Sequence, residues 1–96
     1  MPYIDPKFRK ELDPYIDRLA KAIKKVSAKQ KHEAAFAGFL NYSATKLALK
    51  IIPGRRYWVI ALVAGVFKNV ADEFYRRFGV PYEDEQIEKS GDVYPK

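Results

Sequence analysis

Apolar residues recur at helical spacing in three stretches of the chain, and the longest, YWVIALVAGVFKNVADEFYRRF, runs from Tyr57 to Phe78. At 100° per residue, Val59, Ile60, Val63, Val66, Phe67, Val70, Phe74 and Phe78 share one broad face, while Lys68, Asn69, Asp72, Glu73 and Arg76 fall opposite. Asp72 with Arg76 and Glu73 with Arg77 have the acid-first i,i+4 order that suits a solvated helix surface. Gly79 offers a left-handed cap and Pro81 a stop, which ends this helix at Phe78. Trp58 and Leu62 point toward the polar side, so a tail or a second subunit is expected to cover them.

Upstream, Asp5-Pro6 and Asp13-Pro14 are two N-cap and first-turn signals eight residues apart, which predicts a short N-terminal turn of helix and a fresh start at Pro14. From there Ile16, Leu19, Ile23 and Val26 step by three and four, and Arg18, Lys21 and Lys25 line the outer face, with Lys24 and Lys29 beside them. After a polar break at Ser27–Lys31, a second helix is expected from about His32 to Ile51. Phe36, Leu40, Leu47 and Ile51 form one face, Tyr42 and Leu49 another, and Lys46 and Lys50 a narrow wet strip, the pattern of a sandwiched helix. Gly38, Asn41 and Thr45 leave room for a neighbouring helix. Pro53-Gly54 predicts a tight type II turn and an antiparallel hairpin between the second and third helices. The tail, VPYEDEQIEKSGDVYPK, has an acidic start, Lys89 near its end and Gly91 as a stop; Tyr82, Ile87, Val93 and Tyr94 could dock it. The predicted fold is all-α: a small helical bundle of three main helices with a short N-terminal helical turn and a C-terminal tail packed back on the bundle. Residues 1–96 form one domain, with the acidic tail, 79–96, part of it.

Charge changes this picture. The net charge of +6 is unevenly spread: residues 1–56 carry 13 Lys or Arg against 5 Asp or Glu, and residues 79–96 carry 2 against 5. A basic body with an acidic tail points to a polyanionic partner or to a tail that folds back. Arg18, Lys21, Lys25, Arg55 and Arg56 are the candidate polyanion contacts, the last two beside Tyr57 and Trp58 where a ring could stack. Trp58 and Leu62 are the candidate contacts for a partner or the tail.

Hydrophobic residues make up 48% of the chain and aromatics 15%, enough for folding despite 31% charge. There is no cysteine, which removes disulfides and thiolate chemistry and suits a reducing cytoplasmic setting. The opening MPYIDPKFRK lacks the apolar run of a secretion signal. The uncharged run Tyr57–Phe67 is well short of the ~20 residues a membrane span needs. Abundant charge of both signs with no Cys and one Met also fits a heat-adapted protein.

No catalytic set stands out. His32 is the sole histidine and sits beside Glu33 at an expected helix start. Ser27, Ser43 and Ser90 lack the settings of an activated serine, and no phosphate-binding glycine loop is present. No metal ligand set or cofactor site is identified; the tail carboxylates do not follow a calcium-loop spacing.

Several strings are familiar together: Met1-Pro2-Tyr3-Ile4, Glu11-Leu12-Asp13-Pro14, Asn41-Tyr42 with Thr45, Glu73-Phe74-Tyr75-Arg76-Arg77, Pro81-Tyr82-Glu83-Asp84, and Gly91-Asp92-Val93-Tyr94. The chain thereby resembles a family of small uncharacterised proteins of archaea, bacteria and their viruses, departing from it in the basic middle, Lys46 to Arg56. The resemblance implies no activity or site residue. It implies that the tail belongs to the domain.

Two classes of function follow. The first is a small basic binding or adaptor module acting through protein–protein contacts or self-association, with nucleic acid as a further partner and no membrane. The alternative is a small enzyme or enzyme subunit that uses Asp72, Glu73, Glu83 and Asp84 around a metal.

Overall fold

Asp5 accepts a hydrogen bond from the Lys7 N–H at 3.0 Å and Pro6 follows at the first helical position, so the first helix begins as this pairing dictates. A computed structural model describes residues 2–95. Its elements are α1 (Pro6–Ala28), α2 (Ala35–Ile51), α3 (Tyr57–Phe74), a π-helical turn (Tyr75–Gly79) and α4 (Val80–Ser90). The all-α class expected from the periodicity is therefore found, with no strand among the described residues.

The expected short first turn and fresh start at Pro14 are corrected: α1 is continuous and Pro14 lies inside it. Proline in a helix interior removes one hydrogen bond and crowds the preceding turn, at a cost of ~3 kcal/mol. Fourteen further residues of good helical pattern, Tyr15–Ala28, carry the helix through it. The second helix starts at Ala35, later than His32, with no side-chain cap on Ala34.

The predicted tight hairpin between the second and third helices is not formed. Ile52, at ψ 127°, and Arg56, at ψ 151°, are extended. Gly54 does not take a positive φ. α2 and α3 accordingly do not pack along their lengths.

Gly79 is corrected as well. It is right-handed helical, at φ −78°, and the backbone runs from α3 into α4 through the π turn. There the Val80 N–H bonds the carbonyl of Tyr75, five residues back. One extra residue in the turn loosens the helix just before Pro81, whose ring would otherwise meet the carbonyl of the preceding turn. Pro81 thus sits in the first turn of α4 rather than ending a helix. Residues 57–90 form one helical rod, which would be ~50 Å long if straight, close to the molecule's longest extent of 48 Å. The true stop is Gly91. Its φ of 88° is open to glycine and costly for other residues.

The helices meet at their ends. α1 packs on α2 around the loop that joins them, the five-residue linker 52–56 joins α2 to the rod, and Tyr3 reaches Glu73 at 3.3 Å to join the start of the chain to the end of α3. Among the described residues Val59 is the only buried apolar side chain. The radius of gyration is 17.3 Å, against ~12.5 Å for a compact domain of this length. The structure is helical but open.

Candidate functional site

In α2 the half-buried positions are Ala35, Phe39, Ser43, Ala44 and Ala48, mostly small residues. The large apolar face foreseen for this helix stays open: Leu40 is 56% and Ile51 71% exposed, and Phe36 and Leu47 are comparably open. The sandwich is therefore missing its outer layer. Gly38 has no atom near the position a side chain would take, so the close helix approach expected there does not occur. Asn41 and Thr45 pair with each other at 3.4 Å on the surface.

The rod shows the same uncovered state. Val66, Val70, Phe74 and Phe78 lie on its predicted apolar side and stay exposed. Phe74 and Phe78 stack on each other, with ring centroids 5.2 Å apart. Together with Tyr3 they line a groove whose rim carries Glu73, Arg76 and Arg77. On α1, Leu12, Ile16 and Leu19 continue the pattern, all about half exposed or more. Exposed apolar surface on this scale is the mark of a contact site.

The accessible surface puts a size on it. The chain exposes 9279 Å², where a compact monomer of 11.1 kDa would expose ~5,700 Å². The excess is about 3,600 Å² per chain, more than four times the ~800 Å² each partner loses in a standard protein–protein contact.

The individually named residues are placed as follows. Trp58 and Leu62 are exposed, and α4 continues the rod away from them, so the expected covering by the tail is not found. Arg18, Lys21 and Lys25 lie one turn apart along α1, and Arg55 and Arg56 lie in the linker. None of the five is engaged in an ion pair among the described residues. The expected pairs of Asp72 with Arg76 and Glu73 with Arg77 are replaced by Lys68 with Asp72 at 3.4 Å and by Arg76 with Glu73 one turn away.

The carboxylates of the enzyme alternative are held separately. Asp72 faces Lys68, Glu73 accepts from Tyr3 and Arg76, and Glu83 accepts from Tyr75 at 2.5 Å. Among the described residues no three His, Asp or Glu side chains converge on a point where an ion could sit. His32 borders an open groove between the end of α1 and the start of α2, with Ile23, Ser27, Phe36 and Leu40.

Sequence reasoning missed Tyr75. Its side chain runs along the π turn, over Gly79, to the Glu83 carboxylate, and this hydrogen bond, together with partial desolvation and the negative charge of Glu83, raises its pKa above the ordinary value of 10.0. Tyr94, brought back by the turn at Gly91, adds a smaller upward effect. The spacing Tyr75, Gly79, Glu83, two steps of four, was the available signal.

An open all-α chain with unpartnered apolar faces is the class these observations define. The chain belongs to the family described as a domain of unknown function (DUF6899), whose pattern matches residues 1–93. No curated protein and no solved structure matches it. Among the described residues no helix is long and apolar enough to cross a membrane.

Proposed function

We propose that this chain is a small basic binding or adaptor module that acts through protein–protein contacts, its 96 residues working as one helical domain. The observation that carries the reading is the open apolar face of α2, where Phe36, Leu40, Leu47 and Ile51 are all more than half exposed. Leaving such side chains in water forfeits ~1.5–3 kcal/mol each relative to burial, a loss that a partner's surface recovers.

Light scattering of the full chain tests this. The wild type is expected to run heavier than a single 11.1 kDa chain, alone or in the complex that co-purifies with it. Val66→Glu with Val70→Glu, placed on the open face of the rod, should return it to a single chain with its helical circular dichroism retained. A wild type that runs as a single compact chain and binds no protein contradicts the reading.

A second reading adds nucleic acid as a partner. It is supported by five cations with no ion pair, three of them one turn apart on α1. Binding to generic DNA or RNA should be weak, fall steeply with salt, and disappear in Lys21→Glu with Lys25→Glu. Binding that those reversals leave unchanged removes it.

A further inference from the structure

We infer that the occupant of the open faces is a second copy of this chain, with the α1–α2 hairpin of each copy packed along the α3–α4 rod of the other. This rests on the reading of the chain as a protein-contact module and names its partner.

Three observations on different parts of the molecule converge. The first is area. An excess of about 3,600 Å² per chain cannot be hidden by a partner that touches one spot, because a standard contact removes only ~800 Å² from each side. The occupant must run along several helices at once, and a second copy supplies two helices, α1 and α2, and a rod of matching length.

The second is charge. Residues 1–56, which hold the hairpin and linker, carry 13 basic against 5 acidic groups, and residues 57–96, which hold the rod and the end of the tail, carry 5 against 7. Hairpin against hairpin sets a net +8 against another +8, whereas hairpin against rod sets it against −2. In a two-fold dimer the favourable pairing is made twice, since whatever one copy gives the other returns.

The third is spacing. On α1 the apolar positions Leu12, Ile16, Leu19 and Ile23 step by four, three and four; on the rod Val59, Val63, Val66 and Val70 step identically. Stripes with this 3,4 alternation are those that interlock between long helices at shallow crossing angles. Each stripe is used within its own chain only at one end, Ile23 being half-buried beside α2 and Val59 and Val63 covered on the rod, while Leu12, Ile16 and Leu19 on α1 and Val66 and Val70 on the rod remain open.

The linker explains why the pairing is made between copies. Ile52 and Arg56 are extended and Pro53 stiffens the joint between them, while the Tyr3–Glu73 contact ties the far end. Joined in this way, neither α1 nor α2 packs along its own rod. Stiff joints between two complementary arms favour exchange between copies.

The test uses wild-type chains first. ¹⁴N- and ¹⁵N-labelled chains are unfolded together, refolded, and treated with a carbodiimide, which joins a lysine directly to a carboxylate in contact with it. Mixed-isotope links between lysines of residues 1–56 and Asp or Glu of residues 79–95 are expected; links formed only within one isotope overturn the proposal. The second arm uses complementation. Ile16→Glu with Leu19→Glu damages the hairpin, and Val66→Glu with Val70→Glu damages the rod, so each chain alone should be single. Mixed, they retain one intact hairpin–rod pair and should form a one-to-one dimer. A mixture that stays single while the wild type is dimeric overturns the exchanged arrangement and leaves the protein-contact reading standing. A wild type that is a single chain yet binds a different protein overturns the second copy alone. A single chain with a radius of gyration near 12.5 Å and no protein partner overturns both.

Discussion

The ring of Tyr75 lies so close over Gly79 that a Cβ at residue 79 would stand 2.9 Å from the tyrosine Cδ2. Glycine is needed here for space, since its backbone is ordinary right-handed helix. The ring is held in this position from its far end, where the hydroxyl donates to Glu83. This pair fixes the π turn that joins α3 to α4.

Gly79→Ala therefore tests the turn. In an open helix this change ordinarily gains ~1 kcal/mol. Here the methyl displaces the ring, loses its exposed hydrogen bond to Glu83, and turns the gain into no change or a loss. In a Tyr75→Ala background the gain should return. Urea unfolding of the four proteins should show non-additive stabilities, and additivity would mean that the ring does not guard this position.

The raised pKa of Tyr75 makes a linked prediction about pH. Because the folded state favours the protonated phenol, this contribution is fully present below the ordinary value of 10.0 and is lost as pH rises through the folded value. Melting temperature should accordingly drop on going from pH 9 to pH 11 by more in the wild type than in Tyr75→Phe. Equal drops would show that Glu83 does not act on Tyr75.

Removal of residues 80–96 addresses Trp58. α4 extends the rod instead of folding over its start, so the emission of this single tryptophan should stay where it is in the full chain. A red shift on truncation would place the tail over Trp58 after all.

Charge reversal on α4 reads the electrostatic part of the dimer. Asp84→Lys with Glu85→Lys should weaken association several-fold at low salt. The difference should shrink toward 1 M salt, where the screening length is ~3 Å. An effect independent of salt would locate these residues inside the contact and not at its charged margin.

Much of this was legible in the sequence. The Asp5-Pro6 cap, the helical periodicities and the stop at Gly91 are local signals, and each is found. The errors came where two local signals compete. Pro14 reads as a helix start, but the helical pattern on both sides of it outweighs the loss of one hydrogen bond. Gly79-Val80-Pro81 reads as a terminator, but a π turn and the Tyr75 ring absorb both the glycine and the proline. The site itself was half visible. Trp58 and Leu62 break the apolar pattern of their helix and are exposed, whereas the exposure of Leu40, Ile51 and Val70 was hidden because their spacing is that of a core. Periodicity tells which side is apolar and is silent on whether the same chain or another one covers it.

Small-angle scattering with absolute calibration tests the central claim most directly, because it reports mass and dimension together on the unmodified protein. The account predicts a mass near 22 kDa, ~two chains of 11.1 kDa, falling toward one on dilution. A mass of one chain at every concentration, with a radius of gyration near 12.5 Å in place of 17.3 Å, would mean that the helices close on themselves, and would contradict it.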